Sequence, residues 1–304
     1  MKLTKYLTQS LLILNCFALL LACELHIPVI VAKGTEPVKI PGDFLFTEGP
    51  ASDKQGNVYF TDQPNDRILR YSIDGKLETW LQPAGRANGL CFDNQNRLWA
   101  CADNNNELWI IDENKAINVL FSTYKGGKLN GPNDVWIAPN GNTYFTDPFY
   151  QRPWWDRDTT QQDVMGVYLL PLNGTSPVRV VSDLKKPNGI IGKPNGKMLY
   201  VADIGDDKTW SFDIGQDGRL TNKKLFCDKG SDGMTIDERR NVYLTHKEGV
   251  YVFNSKGRQI KLISIDEPWT ANACFGGKDL KTLFITSQTG FYQMLMNVKG
   301  VGSQ

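Results

Sequence analysis

A short strand ending in a small or polar residue occurs six times along this chain: NVYFTD at 57–62, RLWACA at 97–102, NTYFTD at 142–147, MLYVAD at 198–203, NVYLTH at 241–246 and TLFITS at 282–287. A turn rich in Gly, Asn or Asp precedes each one, and before each turn lies another short apolar strand. Those earlier strands begin at Glu48, Asn88, Asn133, Asn188, Asp232 and Asn272, at intervals of 40, 45, 55, 44 and 40 residues. A period of about 40 to 50 residues built from β-hairpins is the pattern of a propeller with one four-stranded sheet per blade. RILRYSI at 67–73, ELWIID at 107–112, GVYLLPL at 166–172 and GVYVFN at 249–254 supply third strands. The expected fold is therefore an all-β, six-bladed β-propeller over residues 41–304.

The innermost strand of every blade lines the central channel, so equivalent residues of the repeats form a ring. Here that ring reads Glu48, Asn88, Asn133, Asn188, Asp232 and Asn272. Six oxygen-bearing side chains, two of them carboxylates, suit a hard cation. Calcium is expected first, with zinc, manganese or magnesium as alternatives. Asn-Gly and Asp-Gly also form turns unaided, but turn chemistry does not call for Glu before Gly-Pro. In each hairpin the end of the second strand lies beside the start of the first. Asp62, Asp147, Asp203 and His246 should thus sit near the ring, orienting ligands or supplying charge. The longest interval contains DPFYQRPWWDRDTTQQD at 147–163. Its Phe149, Tyr150, Arg152, Trp154 and Trp155 could wall a pocket for a ring-shaped ligand.

Outside the repeats, Lys2 and Lys5 precede an apolar stretch, Leu11 to Ala22, that is too short for a membrane span. It ends in Leu20-Leu21-Ala22-Cys23, which resembles a bacterial lipobox. The expectation is a lipoprotein-type signal peptide over 1–22 and an exported protein, lipid-anchored at Cys23 in the periplasm or cell envelope. Residues 23–40 read as an extended tether. Cys91, Cys101, Cys227 and Cys274 remain for the globular part, as free thiols or in pairings that the sequence does not choose. With 34 basic against 33 acidic residues, a net charge of +1 gives no reason to expect nucleic acid.

TEGP at 47–50, ANGLCFDNQNRL at 87–98, LNGPNDVWIAPNGNTYFTDP at 129–148, PNGI at 187–190, LYVAD at 199–203, SDGM at 231–234 and GVYVFNSKG at 249–257 together resemble the senescence marker protein/gluconolactonase, or regucalcin-like, family, and its bacterial gluconolactonase branch in particular. The resemblance covers about residues 41 to 295. It implies a six-bladed propeller and metal ligands at Glu48, Asn188 and Asp232, with Asn133 as a fourth ligand or substrate contact. One departure stands out: many bacterial relatives have Cys-Glu-His at the end of the second repeat's hairpin, where this chain has Cys101-Ala102-Asp103.

The activity so implied is metal-dependent hydrolysis of a small sugar-type lactone, the partner expected for this chain. Asp232 would take the proton of the attacking water, while Asn133, Asn130, Asn88 and Tyr150 would hold the substrate. Two alternatives differ in class: a non-catalytic envelope propeller that binds a partner, and a paraoxonase-like lactonase or phosphotriesterase. The sequence leaves the oligomeric state open.

Overall fold

Asp53, Asp93, Asp112 and Asp237 close four hairpin turns in one way: a carboxylate oxygen accepts the backbone N–H four residues on, at 2.8 to 2.9 Å. An Asp side chain bonding its own downstream backbone turns the chain locally. In the first-to-second-strand turns one residue then takes a left-handed conformation: Gly56, Asn96, Gly141, Gly196, Arg240 and Leu280, with φ of 91°, 61°, 83°, 65°, 68° and 55°. Glycine takes this region freely. The same backbone turn recurs around the ring whichever residue fills it.

The computed structural model describes residues 29–302. The expected signal peptide over 1–22, Cys23 and the first part of the expected tether lie outside the described residues. Six four-stranded antiparallel sheets follow one another. The first five blades run from inner to outer strand in chain order. Their inner strands are Thr47–Ser52, Ala87–Phe92, Val135–Ile137, Pro187–Gly192 and Met234–Ile236. The sixth blade takes Asn272–Gly276, Thr282–Ser287 and Gly290–Leu295, and its outer strand comes from the other end of the chain as Val38–Ile40. Val38 pairs with Gln293, Lys39 with Tyr292 and Ile40 with Phe291. The stretch 23–40, expected as a tether, is therefore blade at its end: Ile40 is buried beside Phe60 and Phe291. That strand completes the sixth sheet with a segment from the other end of the chain and so ties the first and last blades together.

Both faces of each sheet pack on neighbours, which accounts for the continuous burial of VYFTD at 58–62 and LWACA at 98–102. Core clusters span adjacent blades, with Ala51, Tyr59 and Ile68 against Leu90, Phe92 and Ala100. Across the first and last blades, Phe60 stacks on Phe291 at 4.0 Å. Outer strands face solvent, as at Ile117–Phe121, where no residue is fully buried. Cys91, Cys101, Cys227 and Cys274 are free thiols, with no disulfide among the described residues. Burial pushes Cys91 and Cys227 up to about 12, so these are packing residues with little thiolate character.

Candidate functional site

A cavity of about 680 Å³ opens at one mouth of the channel, and Glu48, Asn88, Asn133 and Asp232 line it. Glu48 and Asn88 reach this place from inner strands that begin with a bulge, whereas Asn133 and Asp232 stand just before inner strands that start at Val135 and Met234. Glu48 faces Thr61 and Ala51 faces Tyr59, which leaves two residues opposite one. The same shift occurs after Ala87 and after Pro187. A bulge re-aims the side chains at a strand's start, here toward the channel axis. Asn188 joins the group from blade four: its Nδ2 donates to Asp232 Oδ1 at 2.7 Å and to the Tyr150 hydroxyl at 2.8 Å.

Glu48 is 3% exposed and Asn188 1% exposed. Burial, followed by the nearby Asp232 carboxylate, holds the Glu48 carboxyl well above the usual range, and burial also raises Asp232. Asn188 Oδ1 is buried and has no hydrogen-bond partner. A buried orphan acceptor beside two destabilised carboxylates fits a cation. Among the described residues no three His, Cys, Asp or Glu side chains converge as a metal group. The donor set of Glu48, Asn133, Asn188 and Asp232 is carboxylate and amide oxygen, which suits calcium better than zinc.

The sixth member of the expected ring does not belong to it. Asn272 N–H donates to Thr286 Oγ1, as Gly233 N–H donates to Thr245 Oγ1 and Asp134 N–H to Thr146 Oγ1. Asn272 thus matches Gly233 and Asp134, and the residue equivalent to Glu48 in blade six is Ala271. The glycines make room for this arrangement. A Cβ on Gly233 would lie 1.9 Å from Asn272 Cγ, and one on Gly89 would lie 2.7 Å from Asp134 Oδ1. Asp134 and Asn272 fill the channel one residue deeper than the ring. Burial pushes Asp134 up to about 7.

The aspartates at the ends of the second strands act through the backbone. Asp62 Oδ1 accepts the N–H groups of Leu45 and Phe46, both at 3.1 Å. Asp147 accepts from Asn130 at 2.9 Å and Gly131 at 2.8 Å, and Asp203 from Lys185 at 2.9 Å and Lys186 at 2.8 Å. Each clamps the chain two residues before Glu48, Asn133 or Asn188. None of the three lines the cavity. His246 also stands apart. Its ring packs 5.5 Å from Trp269, and Trp269 Nε1 donates to Asp232 Oδ2 at 2.5 Å. Trp269 lies in the loop before the sixth blade, where no repeat signal marks it.

Asn130, expected to touch substrate, is fully buried. Its amide donates to the backbone oxygens of Asp147 and Val164, both at 3.1 Å. It braces the loop because its amide ties the end of the strand Thr143–Asp147 to the insertion at Val164, and it does not line the cavity. Of the insertion's five candidates, Tyr150 and Arg152 line the cavity while Phe149, Trp154 and Trp155 do not. Trp155 Nε1 donates to the Asp103 carbonyl at 2.8 Å, and Trp154 packs against the Arg86 guanidinium at 4.5 Å. These rings fasten the insertion to blades one and two. Arg152 Nε donates to Asp103 Oδ2 at 2.6 Å. The departure at 101–103 is thus an anchor for a cavity-lining arginine. Lys186, Phe46, Pro268 and Gln288 complete much of the wall.

A family model described as SMP-30/Gluconolactonase/LRE-like region matches residues 46–289. A gluconolactonase of Zymomonas mobilis is 28% identical over 279 residues, covering 82% of this chain and 78% of that protein. The diisopropyl-fluorophosphatase of Loligo vulgaris is 27% identical over 267 residues, covering 78% of this chain and 83% of its own. The solved structure of a gluconolactonase from Xanthomonas campestris superposes with a TM-score of 0.81 at 26% identity, covering 87% of this chain and 90% of the other.

Proposed function

This chain belongs to the SMP-30/gluconolactonase/LRE-like family, and we propose that it hydrolyses a small cyclic ester in the cavity above Glu48, Asn133, Asn188 and Asp232. The observation that carries the reading is the orphaned Asn188 Oδ1, held beside the buried carboxylate of Asp232 with Glu48 in the same site. The gluconolactonase names of the Zymomonas and Xanthomonas relatives support the ester as a sugar-type lactone. A calcium ion held by those four side chains would polarise the lactone carbonyl and stabilise the charge that develops on its oxygen.

The chain's own residues supply the rest. Asp232 takes a proton from the water whose oxygen attacks the carbonyl carbon. The ring C–O bond then breaks, and the departing ring oxygen receives that proton as the hydroxyl of the product acid. Trp269 and Asn188 each donate to one Asp232 oxygen, so the carboxylate cannot swing away. Tyr150 accepts from Asn188, which leaves its own O–H free to donate to a substrate oxygen. Asn133 and Asn88 offer further amide contacts along the wall. Among the described residues no Ser, Cys or His lines the cavity, so the hydroxyl- or thiol-imidazole pair of a serine- or cysteine-type acyl-enzyme is lacking.

The name of the Loligo relative favours one second reading, hydrolysis of a phosphotriester at the same site. Acid release measured across aldonolactones, acyl-homoserine lactones and a phosphotriester separates the two. Aldonolactone opening should dominate, and Asp232→Asn should lower it at least a hundredfold while circular dichroism stays that of the folded propeller. Full activity in that variant would remove Asp232 from the chemistry. Acid release from none of the panel would favour a non-catalytic binding propeller.

A further inference from the structure

Two cations line the cavity wall, Arg152 from the insertion and Lys186 from the segment leading into blade four. Both are placed by buried carboxylates. Asp103, 2% exposed, accepts from Arg152 Nε at 2.6 Å and from Gln63 Nε2 at 3.1 Å. Asp203 accepts the Lys186 backbone N–H at 2.8 Å, which fixes where that side chain leaves the backbone. The two cations share the Tyr150 ring, with Lys186 Nζ 4.1 Å and the Arg152 guanidinium 5.4 Å from its centroid.

Their charges are not balanced by the protein. Asp103 offsets one of them. Among the described residues no acceptor or carboxylate pairs with the Lys186 ammonium, and none but Asp103 takes a guanidinium N–H of Arg152. The shared Tyr150 ring keeps the two like charges close together. On the floor, Glu48 and Asp232 are matched by the divalent cation of the reading above. A net positive charge is left on the wall, facing the space a substrate would occupy. Two converging cations with free donors are a receptor for an anion.

We propose that the substrate is an anionic lactone, carrying a carboxylate, sulfonate or phosphate that Arg152 and Lys186 bind. This rests on the lactonase reading and adds to it the charge of the substituent. A neutral aldonolactone would leave both cations facing water or each other. The anion supplies the missing acceptor, and Tyr150 lies under the same group.

The test compares kcat/KM of the calcium-loaded enzyme for glucono-1,5-lactone and for its 6-phosphate, 6-sulfonate and 6-carboxylate counterparts, which separate the three anions. At least one anionic lactone should be preferred roughly tenfold or more, and the preference should shrink as salt is raised. Lys186→Gln should lower that preference about tenfold, Lys186→Arg should keep most of it, and melting curves should show each variant folded. Equal use of neutral and anionic lactones, or a preference unchanged in Lys186→Gln, overturns the inference and leaves the lactonase reading standing. A second readout needs no turnover: tryptophan fluorescence titrated with gluconate and with 6-phosphogluconate, 6-sulfogluconate and glucarate. Tighter binding of one of the acids bearing the second anion, weakened in Lys186→Gln, supports the anion site even if no lactone is opened. Equal binding of all four acids overturns it.

Discussion

Asp232 Oδ2 accepts from the Trp269 indole at 2.5 Å and Oδ1 from the Asn188 amide at 2.7 Å. A hydrogen bond to a charged group is worth about 1.5–3 kcal/mol, so Trp269 should matter to the orientation of the proposed base as much as a ligand does. Trp269→Phe keeps the ring against His246 and removes only the donor. The expected result is a loss of roughly 10- to 100-fold in kcat with KM changed little and the pH profile shifted, because the carboxylate loses a bond that favours its charged form. Unchanged kinetics would reduce Trp269 to a wall residue. At this scale the positions of Glu48, Asn133, Asn188 and Asp232 were legible in the sequence, since each stands at or just before the start of an inner strand at the repeat's own period. Trp269 and Lys186 were not, because they come from connecting segments whose length and register the repeat does not set. Asp134 was hidden for a different reason: it occupies a position that is glycine in four other blades.

The elements explain which misreadings were natural. In blade six the amide sits one residue late, so the residues ANA at 271–273 look like the start of the repeat when Asn272 is aligned with Asn188. Only the bond from the Asn272 N–H to Thr286 Oγ1, matched at Gly233 and Asp134, reveals the offset. The insertion is the other case. Aromatic density at 149–155 suggested a pocket wall, yet Trp154 and Trp155 clamp the segment to neighbouring blades, Phe149 packs on Trp155 within it, and only Tyr150 and Arg152 reach the cavity. Asp103 is the main fastening, taking Arg152 on its carboxylate and Trp155 on its carbonyl. Burial pushes Asp103 up to about 6 against the pull of Arg152. Asp103→Ala should therefore loosen the insertion without unfolding the blades. Trypsin should cut after Arg157 about tenfold faster than in the parent chain, with the melting temperature nearly unchanged. An unaltered cleavage rate would show that the aromatic contacts alone hold the segment.

Over the whole molecule, the hairpin period was enough to read six blades, because a turn chemistry repeated six times leaves one architecture that buries both faces of every sheet. The closing strand was not legible. Three residues, Val38-Lys39-Ile40, carry no periodicity, and their partners lie some 250 residues away in sequence at Phe291–Gln293. Closure matters to the site because Glu48 belongs to the first blade and Trp269 leads into the last, and both must meet at one cavity. The account turns on a single cation bridging blades one, three, four and five at that cavity. The most direct measurement is lactone opening by protein stripped of metal with a chelator and then titrated with calcium, followed by acid release and by calorimetry together. The account predicts little activity after stripping, recovery that saturates at one calcium per chain, and calcium binding weakened in both Glu48→Gln and Asp232→Asn. Full activity in the stripped protein, or tight calcium binding that both variants retain, would contradict it.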